Sequence, residues 1–465
     1  MSPSRPPSPH SRSARRVVAH IAGELQAQID SGALPAGTRL PSVRQLARER
    51  GVSPFSAAEI YNALVAAGGI EAHAGRGYFV ASRRGARTLP ARAPDFPADS
   101  IWERRREASG QPIKIDAGCG WLPGDWLHGE GVRAALRAVA RQPPLHLEGY
   151  GNPLGLPALR SHLSLLMESR GLSVREDQIV LTQGASQALD LVVRECLTPG
   201  DVAVVEDPGY PQIFELLKER RVQALGIPRT ENGPDVEALA RVLKRRRVRC
   251  LFTNTTCHNP TGTTTSLGVA HRILELANRH NLLVIEDDIF ADLAPRAGVT
   301  LASLDELQRV VYLSSFSKTV SPSLRAGFLI ATPALAQKFA RAKVMSSLGS
   351  SELLEQLLLQ ILTHGHYRRH LKRLRERLAA AQLRVARQFE ARGVELACRP
   401  PAGMFVWARL PSRESVGKLW RLALRDGVLL APGELFRPEG SATDYWRFNV
   451  AQCEGVEVLR FLEGL

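Results

Sequence analysis

The apolar positions of this chain follow two different rhythms. Between residues 14 and 81 they recur at every third or fourth position, the spacing of one helix face; beyond Ile113 they gather into short continuous runs separated by helical stretches. In the first region Val18, Ile21, Leu25 and Ile29 predict a helix over residues 15–30, with Gly32 at its exit. A second helix is expected from Pro41-Ser42 to Gly51. Ser53 suits the N-cap of a third, running to about Gly68 with Ala57, Ile60, Tyr61 and Leu64 on its buried face. Two short strands, at residues 70–71 and 78–80, flank a turn over Ala74-Gly75-Arg76-Gly77.

The second region reads differently. Apolar runs at residues 180–182, 202–205, 251–254, 283–285 and 310–313 predict buried strands alternating with helices. That alternation argues a mainly parallel α/β sheet, which takes its ligands at the strand carboxyl ends. The large part runs to about residue 345. Beyond it a basic helical stretch, residues 367–389, leads to a smaller α+β segment (residues 346–465 together), and its charges are read as a solvated helix face. Residues 82–112, with Arg83-Arg84, Pro90, Pro94 and Pro97, keep no period and are expected to be a linker. Extended, it would reach about 70 to 100 Å. Residues 1–13, rich in Ser, Pro and Arg, are expected to be disordered.

Composition adds partners and compartment. The 465 residues suggest two or three domains, and a net charge of +15, mostly from arginine, suits a polyanion such as nucleic acid. The six cysteines are scattered, with no paired spacing for zinc or a redox motif, so no metal is expected. With no apolar run long enough for a membrane span and no signal-peptide core, the expectation is a soluble cytoplasmic protein without a membrane partner.

Three helices followed by a hairpin fit a winged helix-turn-helix over residues 14–81. The segments SGALPAGTRLPSVRQLARERGVS and HAGRGYFV resemble the GntR type of DNA-binding domain in order and spacing. The resemblance implies that Arg44 and Arg76 approach double-stranded DNA, with Ser53 and Ser56 at the start of the recognition helix. Arginine forks and helix N-termini suit phosphate and guanine. Two positions depart from the pattern: Pro54-Phe55 replace polar base-readers, and Gly69 stands where an apolar residue usually anchors the wing.

The chemistry centres on SSFSKTVSPSLRAG, residues 314–327. A buried strand delivers Lys318 among small hydroxylated residues, and Ser315, Ser317 and Arg325 can together hold a phosphate. Pyridoxal phosphate needs an amine to condense with its aldehyde and donors to fix its phosphate tail. In TQGASQALD, Gly184, Ala185 and Ser186 lie between a strand and a helix, where N–H groups favour phosphate. Together with EDPGY, HNPTG, IEDD, YWRFNVA and YGNPLGLPALR, these motifs resemble fold type I pyridoxal phosphate enzymes of the aspartate aminotransferase group, across residues 113–465.

That resemblance implies roles. Tyr210 stacks on the pyridine ring, Asn259 bonds the cofactor's phenolic oxygen, and Asp287 pairs with the pyridine nitrogen. Arg447 grips a substrate or effector carboxylate, and Tyr150 reaches the phosphate of a neighbouring subunit, so a homodimer is expected. Lys318 and Asp287 would be the catalytic pair. One departure is Phe290, where many aminotransferases carry a tyrosine that bonds the phenolic oxygen; its loss forgoes about 0.5 to 1.5 kcal/mol.

A GntR-type head on an aminotransferase-like body resembles the MocR family of transcriptional regulators. The expected function is a pyridoxal phosphate-dependent regulator that senses an amino compound. The alternatives are a working aminotransferase carrying a DNA-binding domain, and a binding protein with a vestigial cofactor domain.

Overall fold

The computed structural model describes residues 9–73, 77–81, 113–141, 149–295 and 300–465. The chain forms two compact units that divide between Asp95 and Phe96. The expected linker, residues 82–112, and the wing-tip residue Arg76 lie outside the described residues.

In the first unit the helices α1 (Pro9–Asp30), α2 (Val43–Arg50) and α3 (Pro54–Ala66) precede the antiparallel strands β1 (Ile70–His73) and β2 (Gly77–Val80). Ser42 and Ser53 cap α2 and α3 by accepting from Gln45 N and Ser56 N, at 3.2 and 3.0 Å. Gly51 closes α2 at φ 63°. The helix faces meet over Ile21, Leu25, Leu46, Ile60, Tyr61 and Leu64, and Tyr61 donates its hydroxyl to Pro41 O at 2.6 Å.

One boundary differs from the expectation: α1 begins at Pro9, inside the stretch 1–13. Gly69 also has a packing reason: a Cβ there would stand 2.6 Å from Gln26 Oε1 of α1. The wing is instead anchored by Ile70 and Val80, 2 % and 3 % exposed.

The body begins with β3 (Ile115–Asp116) and is built on one eight-stranded sheet. Its strands are β4 (Ile179–Thr182), β5 (Val202–Asp207), β6 (Gln223–Thr230), β7 (Gly233–Pro234), β8 (Cys250–Asn254), β9 (Leu283–Asp287), β10 (Val310–Ser315) and β11 (Gly327–Ile330). They lie in the order β4-β11-β10-β9-β8-β5-β6-β7, and the run β10-β9-β8-β5-β6 is parallel throughout. β8 and β10 are buried along their whole length, as expected of a sheet covered by helices on both faces. Gly155, in the turn that leads to the helix Pro157–Glu168, leaves no room for a side chain: its φ is +104°, and a Cβ would meet Leu181 at 2.4 Å.

The smaller segment carries β12 (Glu395–Leu396), β13 (Phe405–Arg409), β14 (Val428–Leu429), β15 (Ala431–Pro432) and β16 (Tyr445–Asn449). Four of them form a sheet in the order β12-β13-β16-β15, while β14 pairs in parallel with β3. The start of the body is thereby stitched to its end. The helix His366–Glu390 buries Leu371, Leu374, Leu378, Val385 and Phe389 and leaves its arginines largely exposed, as the solvated-face reading expects. Among the described residues no helix is long and apolar enough to cross a membrane.

Candidate functional site

The carboxyl ends of the central strands bring the predicted residues together. Asp287 ends β9 at 3 % exposure, and Lys318 follows β10, the parallel neighbour of β9. Lys318 Nζ donates to Gly120 O at 2.6 Å and sits 5.8 Å from the centre of the Phe290 ring. Burial, reinforced by Arg447 and opposed by Asp287, lowers its amine to about 8. Burial likewise lifts the Asp287 carboxyl to about 7, against the Ile289 N–H and Lys318, with Asp288 adding to the rise. Asn254 organises the next strand: its Nδ2 donates to Asp287 O at 2.6 Å, and its Oδ1 accepts from Asn259 N at 2.8 Å.

Asn259 connects the lysine side of the pocket to Arg447. Its Oδ1 accepts from Arg447 Nη1 at 2.7 Å, while Nη2 donates to Gly118 O at 2.6 Å. The guanidinium is 3 % exposed and lies between two aromatic rings, 4.6 Å from Phe405 and 4.7 Å from Phe436. Such a clamp fixes the plane of the fork. Tyr210 is half-buried and donates its hydroxyl to Gln212 Oε1 at 2.7 Å; burial first, then Asp287, raises it to about 12. Ser186 Oγ bonds the same Gln212 oxygen at 3.0 Å.

The phosphate-type cradle also forms. Gly184 takes φ 81° before the helix Ala185–Cys196, and a Cβ there would stand 2.9 Å from Arg325 Nη2. Arg325 reaches this loop by donating to Gln183 O at 3.1 Å. Ser315 and Ser317 are buried, with their hydroxyl oxygens 2.9 Å apart. A helix N-terminus, a guanidinium and two hydroxyls thus flank a lysine of lowered basicity and a buried carboxylate, a donor set that fits pyridoxal 5'-phosphate.

Three predicted features stand apart. Tyr150 is 77 % exposed. In the head Arg44 and Ser53 are exposed, while Ser56 is half-buried and its Oγ lies 3.0 Å from that of Ser53, so both serines act in the cap of α3. Phe290 is 1 % exposed and packs edge-on against Phe405. The hydroxyls of Tyr210 and Tyr312 bond Gln212 and Asp288, so neither is directed to replace the hydroxyl that Phe290 lacks.

Sequence reasoning missed a buried network on the strand that leads to Tyr210. Glu206, 3 % exposed, pairs with Arg229, accepts from Asn254 N and Thr253 Oγ1 at 3.0 Å each, and lies 3.0 Å from His258 Nε2. Burial would raise this carboxyl, but Arg229 and His258 hold it down to about 2. It also missed the strap Gly118–Trp121, whose carbonyls meet Lys318, Arg447 and Asn449. Glu206 and His258 stand inside the motifs EDPGY and HNPTG, which is the signal for the network, whereas the strap lies in no motif.

Comparison with known proteins agrees with this geometry. The chain belongs to the family described as aminotransferase class I and II, whose model matches residues 113–465. Residues 18–80 match the gntR family of bacterial regulatory proteins. The fused architecture is that of the MocR-type regulators, pyridoxal phosphate-dependent DNA-binding proteins. A probable rhizopine catabolism regulatory protein MocR of Rhizobium meliloti is 29 % identical over 88 % of this chain and 85 % of its own length. A 2-aminoadipate transaminase of Thermus thermophilus is 33 % identical over 72 % of this chain and 86 % of its own. The crystal structure of LysN, an α-aminoadipate aminotransferase from Thermus thermophilus complexed with N-(5'-phosphopyridoxyl)-L-leucine, superposes with a TM-score of 0.70. It is 30 % identical and covers 78 % of this chain and 94 % of that one.

Proposed function

We propose that the body senses an α-amino acid or a similar amine with a carboxylate, and that its occupancy changes how the head binds double-stranded DNA. The observation that carries this reading is Arg447, buried, clamped between two rings and joined through Asn259 to the pocket that holds Lys318. When bound, the cofactor supplies a reactive carbonyl and an electron-withdrawing ring. Everything else falls to the chain. Arg447 takes the ligand carboxylate in place of Gly118 O, Asn259 holds the fork in register, and Asp287 would be the carboxylate that keeps the cofactor's ring nitrogen protonated. Lys318, less basic than an ordinary lysine, gives up and takes back a proton near neutral pH. Arg325, Ser315, Ser317 and the turn Gly184-Ala185-Ser186 would hold the phosphate, and Tyr210 would cover the ring.

The proposal includes a homodimer, with Tyr150 serving the partner's phosphate site. Its exposure supports this, as do Met345, Leu348 and Leu353, exposed on the neighbouring segment. Arg44, Ser53, Ser56 and Arg76 are proposed to face DNA, and residues 82–112 to link the units. A turning-over aminotransferase is the second reading. The retained set Lys318, Asp287, Asn259 and Arg447 favours it.

An effector shifts DNA binding only by binding two states unequally, and the coupling is reciprocal, typically about five- to 150-fold. Amino acids that alter the holoprotein's absorbance are therefore expected to change operator affinity or footprint at fixed salt, and Lys318→Ala to abolish that response. An amine that changes the absorbance but neither affinity, footprint nor transcription, and that is steadily converted to a keto acid, would replace sensing with catalysis.

A further inference from the structure

A second cavity, of about 1050 Å³, is lined by none of the residues assigned to the cofactor pocket. One wall is the helix Gly129–Val139 with the turn before it, and the other is the start of the helix His366–Glu390. Four histidines line it, His128, His364, His366 and His370. Four arginines face the same space, Arg133 and Arg137 from the first helix and Arg373 and Arg377 from the second. The carboxylates among the lining residues are Asp125 and Glu130, and Asp125 is already paired with Arg377 at 2.7 Å.

Two of the imidazoles are built into place. His128 is 8 % exposed and packs against His370, with ring centres 4.6 Å apart and planes at 33°. A Cβ on residue 131 would stand 1.9 Å from the His128 ring, so Gly131 makes its seat. Burial, then His370, His366 and Arg373, lowers His128 to about 4, and burial lowers His370 as well. The part of this lowering that comes from neighbouring cationic groups is a repulsion that a bound anion relieves. Two of the lining histidines, His128 and His370, are also bonded to the chain just after Lys318. His370 Nε2 donates to Thr319 O at 2.8 Å, the Tyr367 hydroxyl lies 2.8 Å from Thr319 Oγ1, and His128 N donates to Val320 O at 3.2 Å.

We propose that this cavity is a second ligand site, taking a small anion that carries two or more phosphate charges. Arginine forks and imidazoles are matched to phosphate oxygens, and the volume suits a small molecule. The anion places its charge between Arg133 and Arg373, and a proton taken up by His128 or His370 completes the neutralisation. Its contacts lie outside the site assigned to amino compounds.

Inorganic pyrophosphate is the probe, titrated calorimetrically at constant ionic strength. The protein is holoprotein whose cofactor has been fixed by borohydride, so that the phosphate cradle is filled. Saturable binding is expected, stronger at pH 6.5 than at pH 8 and accompanied by proton uptake. The doubly substituted Arg133→Gln, Arg373→Gln protein should bind at least ten-fold more weakly with unchanged cofactor absorbance. His128→Gln should bind with a flattened pH dependence. Equal affinity in wild type and the double variant would overturn the site. So would a non-operator DNA duplex that depends on these arginines while pyrophosphate fails to bind, which would make the surface a DNA contact. Loss of amino-acid sensing in the Lys318→Ala protein bears on the function proposed above and leaves this result untouched.

Discussion

Lys318 shows how a single residue's chemistry is set jointly by sequence and burial. Its position after an apolar run, among Ser315, Ser317 and Arg325, is readable from the chain, but its basicity is not. Burial and the facing Arg447 lower the amine to about 8, so the neutral form that attacks an aldehyde becomes abundant near neutral pH. The sign is definite: raising the pH removes the proton. Reconstitution of apoprotein with pyridoxal phosphate, followed by stopped-flow absorbance, is expected to speed up roughly eight- to ten-fold from pH 7 to 8.5 and to level off above pH 9. A rate still climbing ten-fold per pH unit beyond pH 9 marks an ordinary lysine and contradicts the assignment. Phe290 makes the opposite case. The missing hydroxyl is plain in the sequence, yet only the structure shows that Tyr210 and Tyr312 are already bonded elsewhere.

At the scale of elements, the strands that carry motifs were legible because both their faces are buried and their apolar runs are continuous. β6 was not: it holds Gly226 and Pro228, is partly exposed along most of its length and lies one strand from the sheet edge. The pairs β3–β14 and β15–β16 are two residues long, too short for any period, and the first exists because the two ends of the body meet. The turn before the helix Ala185–Cys196 offers a test. Gly184→Ala would place a methyl 2.9 Å from Arg325 in a backbone region open essentially to glycine alone, a strain of about 1–3 kcal/mol. A cofactor dissociation constant raised about ten-fold is expected by fluorescence titration, with the melting temperature of the apoprotein nearly kept. Unchanged affinity would place the phosphate elsewhere.

At the scale of the whole molecule, the chain combines a unit that contacts DNA with a unit that binds a small molecule, and assembly is the next level. A side chain as apolar as Tyr150 at 77 % exposure, together with exposed Met345 and Leu348, is expected to be covered by a second copy. Sedimentation of the holoprotein at micromolar concentration should give a dimer or a multiple of one, and Tyr150→Ala should weaken cofactor retention several-fold. A monomer with full cofactor occupancy would be incompatible with a shared site. By itself the sequence determined the two units, the helical head, the parallel sheet and the identity of the groups around Lys318. It did so because periodicity and short motifs are local properties, written in neighbouring residues. Only the tertiary structure decided that Arg447 is clamped by Phe405 and Phe436, that Glu206 joins Arg229 to His258, that Gly69 makes room for Gln26, and that four histidines and four arginines share a cavity. These contacts join residues far apart in the chain, and their burial and mutual charge, which set every shifted proton affinity here, exist only once the core has closed.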